Sequence, residues 1–292
     1  MSKFLIVGLG FVGTPLAEAL HAKGHSVIGL THSKASAERL KEETSSANVR
    51  QADVSQLDSL RQAVPEPVDW IIHCASSGRG GPDKYRSVYR DGVANLRELC
   101  PQARLLYTSS TSVYAQVAGE LVDEDSPAKP DRETGQILRE AEELALASGG
   151  VVTRLAGIYG PGRSFILLKY LNGTAVIEGD GGRYLNQAHV ADIVSALCHL
   201  IESNATGIYN VVDSTPQTQR EIFQALADHF EGDLPPNAPP DYERKRGWTH
   251  KRVSNAKLRA SGWEPRHPSF QKAVAHDAAL VPSIRALIEN QA

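Results

Sequence analysis

The sequence predicts an α/β protein in which helices cover both faces of a doubly wound parallel sheet and a smaller α/β lobe follows toward the C-terminus. Three observations carry this expectation. A glycine-rich turn separates an apolar run from a helical pattern at the start of the chain; strand-like and helix-like segments then alternate through the first half; and the rhythm changes after Gly160. Sustained alternation implies parallel strands joined by right-handed helical crossovers.

The first strand is Phe4-Leu5-Ile6-Val7, followed by Gly8-Leu9-Gly10-Phe11-Val12-Gly13 and then by Leu16, Ala19 and Leu20 at helical spacing. Further strands are expected at residues 26–30, 49–52, 70–74, 105–109 and 151–155, each a short apolar run bounded by polar or glycine residues. Helices at 12–23, 35–43, 57–63, 84–99 and 135–147 fill the gaps. Beyond Gly160 the expected elements are a turn at Gly179-Asp180-Gly181-Gly182, a helix at 190–201 and a strand at 207–211. Thr218 and Glu221 form a capping box that opens a helix over 222–230. Residues 234–240 hold four prolines and are expected to be a surface loop without regular structure. A last helix starts near Phe270. The expected domains are 1–160 with 184–212, binding the nucleotide, and 161–183 with 213–292, forming the substrate lobe.

Strand, glycine turn and helix in this order make the Rossmann-type dinucleotide fingerprint. Gly8 permits the tight turn, Gly10 lets backbone approach a pyrophosphate, and Gly13 lets helix and strand pack closely; the N–H groups at the helix start, near Phe11 and Val12, serve the phosphates. An NAD site usually places a carboxylate at the end of the second strand. Here that segment reads Gly29-Leu30-Thr31-His32-Ser33-Lys34, with no carboxylate to repel a 2′-phosphate and with Thr31, Ser33 and Lys34 able to donate to one. The cofactor expected is therefore NADP, with NAD as the alternative. Asp53 and Val54 after the third strand are expected beside the adenine, and Cys74, Ala75 and Ser76 beside the phosphates and ribose.

Composition limits the partners. With 292 residues, 41% of them hydrophobic, and a formal net charge of -3, the chain can bury a full core and offers nucleic acid no basic surface overall. Arg244-Lys245-Arg246 with Lys251 and Arg252 is a local basic stretch, expected as a solvated loop. Cys74, Cys100 and Cys198 sit in apolar patterns and are expected as reduced core residues of a cytoplasmic protein. No run approaches a membrane span, the first residues build a strand instead of a signal peptide, and the sequons at Asn172 and Asn204 are expected to be chance matches. No His, Cys or carboxylate cluster shows metal-site spacing, so no metal is expected.

Further motifs identify a family. Thr108-Ser109-Ser110-Thr111-Ser112-Val113-Tyr114, Arg154-Leu155-Ala156-Gly157-Ile158-Tyr159-Gly160-Pro161-Gly162, His189-Val190-Ala191-Asp192, Tyr209-Asn210-Val211 and Val253-Ser254-Asn255-Ala256-Lys257-Leu258 occur in that order. They resemble the extended short-chain dehydrogenases/reductases, the epimerase and dehydratase branch, over nearly the whole chain. The resemblance implies a nicotinamide cofactor, a small-molecule substrate at the C-terminal edge of the sheet, and pairing of two copies through the helices after the fourth and fifth strands. It also implies a Tyr-x-x-x-Lys pair, in which lysine tunes a phenol that exchanges a proton with the substrate. That pair is missing. Aligned on Gly135 and Glu142, Thr134 takes the tyrosine position and Leu138 the lysine position, and no other Tyr-x-x-x-Lys occurs. This resembles the atypical subgroup that keeps the fold and the glycine motif.

Candidates for the missing acid are Ser110, aligned with the family's catalytic hydroxyl, Tyr159 in the turn after the sixth strand, and Tyr114. Ser110 is equally readable as a strand-end hydroxyl bonded to backbone. His73 is expected as a core histidine, and His189 with Asp192 as a helix-start cap. The leading expectation is an NADP-dependent oxidoreductase whose substrate, such as an iminium or activated alkene, needs little acid help. A non-catalytic NAD(P)-binding sensor or scaffold and a sugar-nucleotide epimerase or dehydratase remain as alternatives.

Overall fold

The computed structural model describes residues 1–290 except Arg79, Ser148 and residues 244–246, so the basic triplet Arg244-Lys245-Arg246 lies outside the described residues. The chain forms two compact units. The first comprises Met1–Val113, Ala128–Arg154 and Val194–Tyr209; the second comprises Tyr114–Pro127, Leu155–Ile193 and Asn210–Ala292.

The first unit is built on a seven-stranded sheet. Its strands are β1 (Lys3–Val7), β2 (Ser26–Thr31), β3 (Asn48–Gln51), β4 (Trp70–His73), β5 (Arg104–Ser110), β6 (Val151–Leu155) and β7 (Gly207–Val211), in spatial order β7-β6-β5-β4-β1-β2-β3. β1 pairs in parallel with β2 on one side and β4 on the other, in the register Val7↔Leu30 and Val7↔His73. The order reverses at β1, and the crevice beyond the carboxyl ends of β1 and β4 is where an open α/β sheet binds its ligand. Phe4, Leu5, Ile6 and Val7 are all buried, as expected of a central strand covered on both faces.

Helix α1 (Gly13–Ala22) buries Leu16, Ala17 and Leu20; α2 (Lys34–Glu43) is capped by Ser33, whose Oγ accepts the Ser36 N–H; α3 (Leu57–Ala63) follows β3. The helix after β4 departs from the regular helix expected. Here α4, residues 82–99, is α-helical over Pro82–Tyr85, π-helical over Arg86–Asp91 and α-helical again over Gly92–Leu99. The wide turn coincides with a bond from buried His73 Nε2 to the Val88 carbonyl, 2.8 Å. Single π turns concentrate where a side chain takes a helix carbonyl or where a site is shaped.

Helix α5 (Glu133–Leu146) is anchored by a buried ion pair. Glu142 is fully buried and receives Arg154 Nη2 at 2.7 Å, Arg154 Nε at 3.1 Å and the Ser109 hydroxyl at 2.6 Å, and it also bonds Arg139. Arg154 stands on β6 and Ser109 on β5, so one carboxylate ties the helix to two strands. Such a pair is costly to desolvate and costly to break.

In the second unit, Gly157–Tyr159 pairs in parallel with Gln187–His189, the strand that runs into helix α6 (Val190–Glu202). Tyr159, Leu167, Ile177, Phe223, Leu226, Phe270, Ala273 and Ile284 share one core. The capping box at Thr218 and Glu221 is formed and opens helix Gln219–Phe230. Two expectations are corrected in this unit. Residues 234–240 are not wholly irregular: Asn237–Ala238 pairs in parallel with Ile177–Glu178, because the prolines need only accept while the two residues between them keep their N–H groups. Lys251 and Arg252 are not a solvated loop. They lie in strand Lys251–Val253, paired with Glu120–Val122, and Lys251 is buried.

Candidate functional site

The glycine turn after β1 is shaped by contacts that only glycine tolerates at two positions. Gly8 has φ +99°, and a Cβ there would lie 2.6 Å from the Ala75 backbone in the loop after β4; a Cβ on Gly13 would lie 2.1 Å from the Gly8 carbonyl oxygen. Gly10 differs, since a Cβ there would meet no protein atom within 4 Å. The turn is therefore closed toward the protein at Gly8 and Gly13 and open at Gly10. The N–H groups of Gly8 and Leu9 both bond the Leu30 carbonyl at 2.9 and 3.0 Å, which fixes the loop to β2. Val12 precedes α1 without a side-chain cap, so no side chain competes with an anion at that helix start. These residues fit the diphosphate of a dinucleotide.

Around this turn the remaining predicted positions fall in order. Cys74 N–H bonds the Val7 carbonyl at 2.8 Å, Ala75 touches Gly8, and the Ser76 hydroxyl accepts the Gly78 N–H at 3.2 Å. Thr31 ends β2, Ser33 caps α2, and Lys34 is strongly exposed beside Glu38. Asp53 lies 3.9 Å from the His32 ring; burial pushes its carboxyl up, but bonds from the Ser55 hydroxyl and N–H outweigh burial and hold it below the ordinary aspartate value. Val54 is buried, and its carbonyl accepts Asn95 Nδ2 at 3.0 Å. Sequence reasoning missed Gly29: a Cβ there would sit 2.3 Å from the Leu9 side chain, which fills the space instead.

At the start of α5, the two positions that align in sequence with the proton-transfer pair hold a threonine and a leucine. Thr134 is half-buried, Leu138 is 5% exposed, and Gly135 packs on Pro130. Ser110, at the end of β5 in the first unit, accepts the Ser112 N–H at 3.2 Å and is half-buried. Tyr114, in the second unit, is fully buried, its hydroxyl 2.7 Å from the Asp123 carbonyl and 3.0 Å from Asn210 Oδ1, while its carbonyl accepts Lys251 Nζ at 2.7 Å. Burial pushes the Lys251 ammonium down to about 8. Tyr159 is 1% exposed within the core, edge-on to Phe270 at 4.9 Å, and its hydroxyl has no hydrogen-bond partner among the described residues. Burial, reinforced by Asp213, Asp192 and Asp277, raises its phenol far above the ordinary value. A phenol so held surrenders its proton poorly. Burial also lowers His73 to about 4, which keeps that ring neutral.

Residues 4–212 match the model of the NAD dependent epimerase/dehydratase family. The chain is 30% identical over 247 residues to Protein YeeZ of Escherichia coli strain K12, covering 78% of this chain and 83% of that protein. It is 28% identical to a 3-diazoavenalumate denitrifying reductase of a Streptomyces species, covering 94% of this chain and all of that one. Among solved structures, a Methylobacillus flagellatus protein described as an NAD-dependent epimerase/dehydratase superposes with a TM-score of 0.78 at 29% identity, covering 97% of this chain and 99% of that chain. No helix among the described residues is long and apolar enough to cross a membrane. With the family model matched across most of its length, and with the strand order and glycine turn described above, this chain belongs to the NAD-dependent epimerase/dehydratase family.

Proposed function

We propose that this protein is a nicotinamide-dependent reductase of a small, electron-poor acceptor, with NADP as the preferred cofactor. The observation that carries the reading is the pairing of a glycine turn open at Gly10 with an α5 start where Thr134 and buried Leu138 replace the phenol and ammonium. The nicotinamide, when bound, supplies or accepts a hydride. Gly8, Gly10 and Gly13 would hold its diphosphate; Phe11 and Val12 contribute backbone at the helix start; Thr31, Ser33 and Lys34 would meet a 2′-phosphate; Asp53 and Val54 border the adenine; and Cys74, Ala75 and Ser76 border the ribose.

Leu138 carries no charge to tune an acid, and a threonine hydroxyl is far too weak an acid to replace a phenol. Ser110 is then the side chain best suited to polarise a substrate, by donating its hydroxyl to the reacting atom. Cationic or conjugated acceptors need less than that, because the incoming hydride neutralises charge or moves it onto a stable group. An iminium, an activated alkene or a diazonium group fits; a diazonium takes hydride and leaves as dinitrogen with no proton required. The name of the Streptomyces relative supports acceptors of this last type. Two copies joined through α4 and α5 belong to the same proposal.

The test is a calorimetric titration with NADPH and NADH, followed by NADPH oxidation with a panel of ketones, iminium salts, enones and arenediazonium salts. Expected are tighter NADPH binding and turnover confined to the electron-poor acceptors. Brisk ketone reduction would overturn the acceptor class. Tight binding with no turnover of any acceptor or cell-extract metabolite would favour a cofactor sensor, and failure to bind either nucleotide would remove the whole reading.

A further inference from the structure

The second unit holds a cluster that the proposed reaction does not use. Tyr159 and His189 are register partners on neighbouring strands, and their rings meet edge-on at 5.1 Å. Beyond His189 the chain enters α6, whose first turn carries Asp192. The Asp192 carboxylate accepts the backbone N–H groups of Arg266 at 2.7 Å and His267 at 3.0 Å, which ties that segment to the helix start. The His267 ring thereby comes to rest 3.9 Å, centroid to centroid, from that of His189. One nitrogen or oxygen from each of His189, Asp192 and His267 lies within 4.8 Å of the others.

Two neighbouring groups complete the arrangement. Asp277 Oδ2 bonds His189 Nε2 at 3.0 Å, the imidazole–carboxylate pairing that fixes the tautomer and orientation of a metal-bound histidine. Nδ1 is then the nitrogen with a lone pair to give, and it accepts the Ala191 N–H at a long 3.3 Å. Tyr159 Oη is buried beside these acids with no hydrogen-bond partner among the described residues, a deficit that a bound ion's water would remove.

From this geometry we infer that His189, Asp192 and His267 form a binding site for a zinc-class transition-metal dication, with Asp277 orienting His189 and Tyr159 hydrogen-bonding a water on the ion. Two imidazoles and one carboxylate suit Zn²⁺, Co²⁺ or Ni²⁺, whereas Mg²⁺ and Ca²⁺ favour all-oxygen shells. Three protein ligands leave a coordination position for water. His189 and Asp192 are each 3% exposed, and half-buried His267 gives the ion its way in. Sequence spacing hid the site because His267 lies 75 residues beyond Asp192.

The test uses tag-free, chelator-stripped full-length protein titrated with CoCl₂ and then ZnCl₂, and separately with MgCl₂, read by visible absorbance and calorimetry. One Co²⁺ per chain is expected, with d–d absorption that Zn²⁺ abolishes. His267→Gln, on a half-buried segment, should weaken Co²⁺ binding by well over tenfold, and Asp277→Asn by about tenfold. Far-UV circular dichroism of the metal-free variants keeps a folding defect distinguishable from a lost ligand, and His267→Gln decides the matter where a more buried variant fails to fold. Absence of Co²⁺ absorption up to about 1 mM metal, unchanged affinity in His267→Gln, or Mg²⁺ binding as tight as Zn²⁺ would each overturn the site. None of these readouts depends on the nicotinamide reading.

Discussion

The glycine turn and the start of α5 both belong to the first unit and are built on opposite principles. The turn works through backbone, so its requirement is the lack of side chains: Gly8 and Gly13 have no room for a Cβ, and Gly10 leaves space outward. The start of α5 offers only side chains without an acid or a charge at Thr134 and Leu138, the first half-buried and the second buried. Yet α5 is no less firmly held. Its anchor is Glu142, further along the helix, bonded to Arg154 and Ser109 in full burial. The anchoring of α5 at Glu142 is thus independent of the side chains at its start.

Breaking the anchor should have the largest effect. Glu142→Gln leaves the buried Arg154 guanidinium uncompensated and should destabilise the protein by about 3–5 kcal/mol in urea unfolding, while the folded fraction still binds NADPH. His73 gives a pH test of the same unit. Its folded value of about 4 lies below the ordinary 6.5, so the unfolded chain binds the extra proton between these limits. The contribution is therefore full above pH 6.5 and is lost as pH falls toward 4, amounting to about 3 kcal/mol; His73→Gln should flatten that part of the stability–pH curve. On the turn, Gly13→Ala should weaken NADPH binding by roughly 100-fold, about 2.7 kcal/mol, and lower the melting temperature. Gly10→Ala should weaken binding and leave the melting temperature alone, since its Cβ meets no protein atom. Smallest is Ser110→Ala, which should slow turnover of an electron-poor acceptor by no more than about tenfold. A loss of several thousandfold there would make Ser110 the principal acid and narrow the contrast between the two regions.

Much of this was legible in the sequence because it is local. Apolar runs such as Phe4-Leu5-Ile6-Val7 mark central strands, the glycine order marks the cofactor turn, and Thr218 with Glu221 marks a helix start. What escaped depends on residues distant in the chain. The π turn in α4 coincides with a bond to His73 on the preceding strand, the pairing of Asn237–Ala238 needs a partner some sixty residues earlier, and the burial of Lys251 needs the Tyr114 carbonyl. Glu142 was visible as an alignment marker, but its burial follows from Arg154 and Ser109 converging on it, which periodicity does not encode. Tyr159 reads as a turn residue from its glycine and proline neighbours, while its ring is drawn into the core by Phe270 and His189.

The Leu9 side chain occupying the room above Gly29 has a practical consequence for anyone redesigning cofactor choice. Positions 31 and 34 can be exchanged for acidic or basic residues with little structural penalty, because one ends a strand and the other opens a helix, whereas position 33 must keep a capping side chain such as aspartate. Position 29 is closed to such work. A Cβ there meets Leu9 side-chain atoms at 2.3 Å, so any larger residue must displace that side chain beside the two amides clamped on Leu30, and Gly29→Ala is expected to weaken binding of both nucleotides instead of exchanging one for the other.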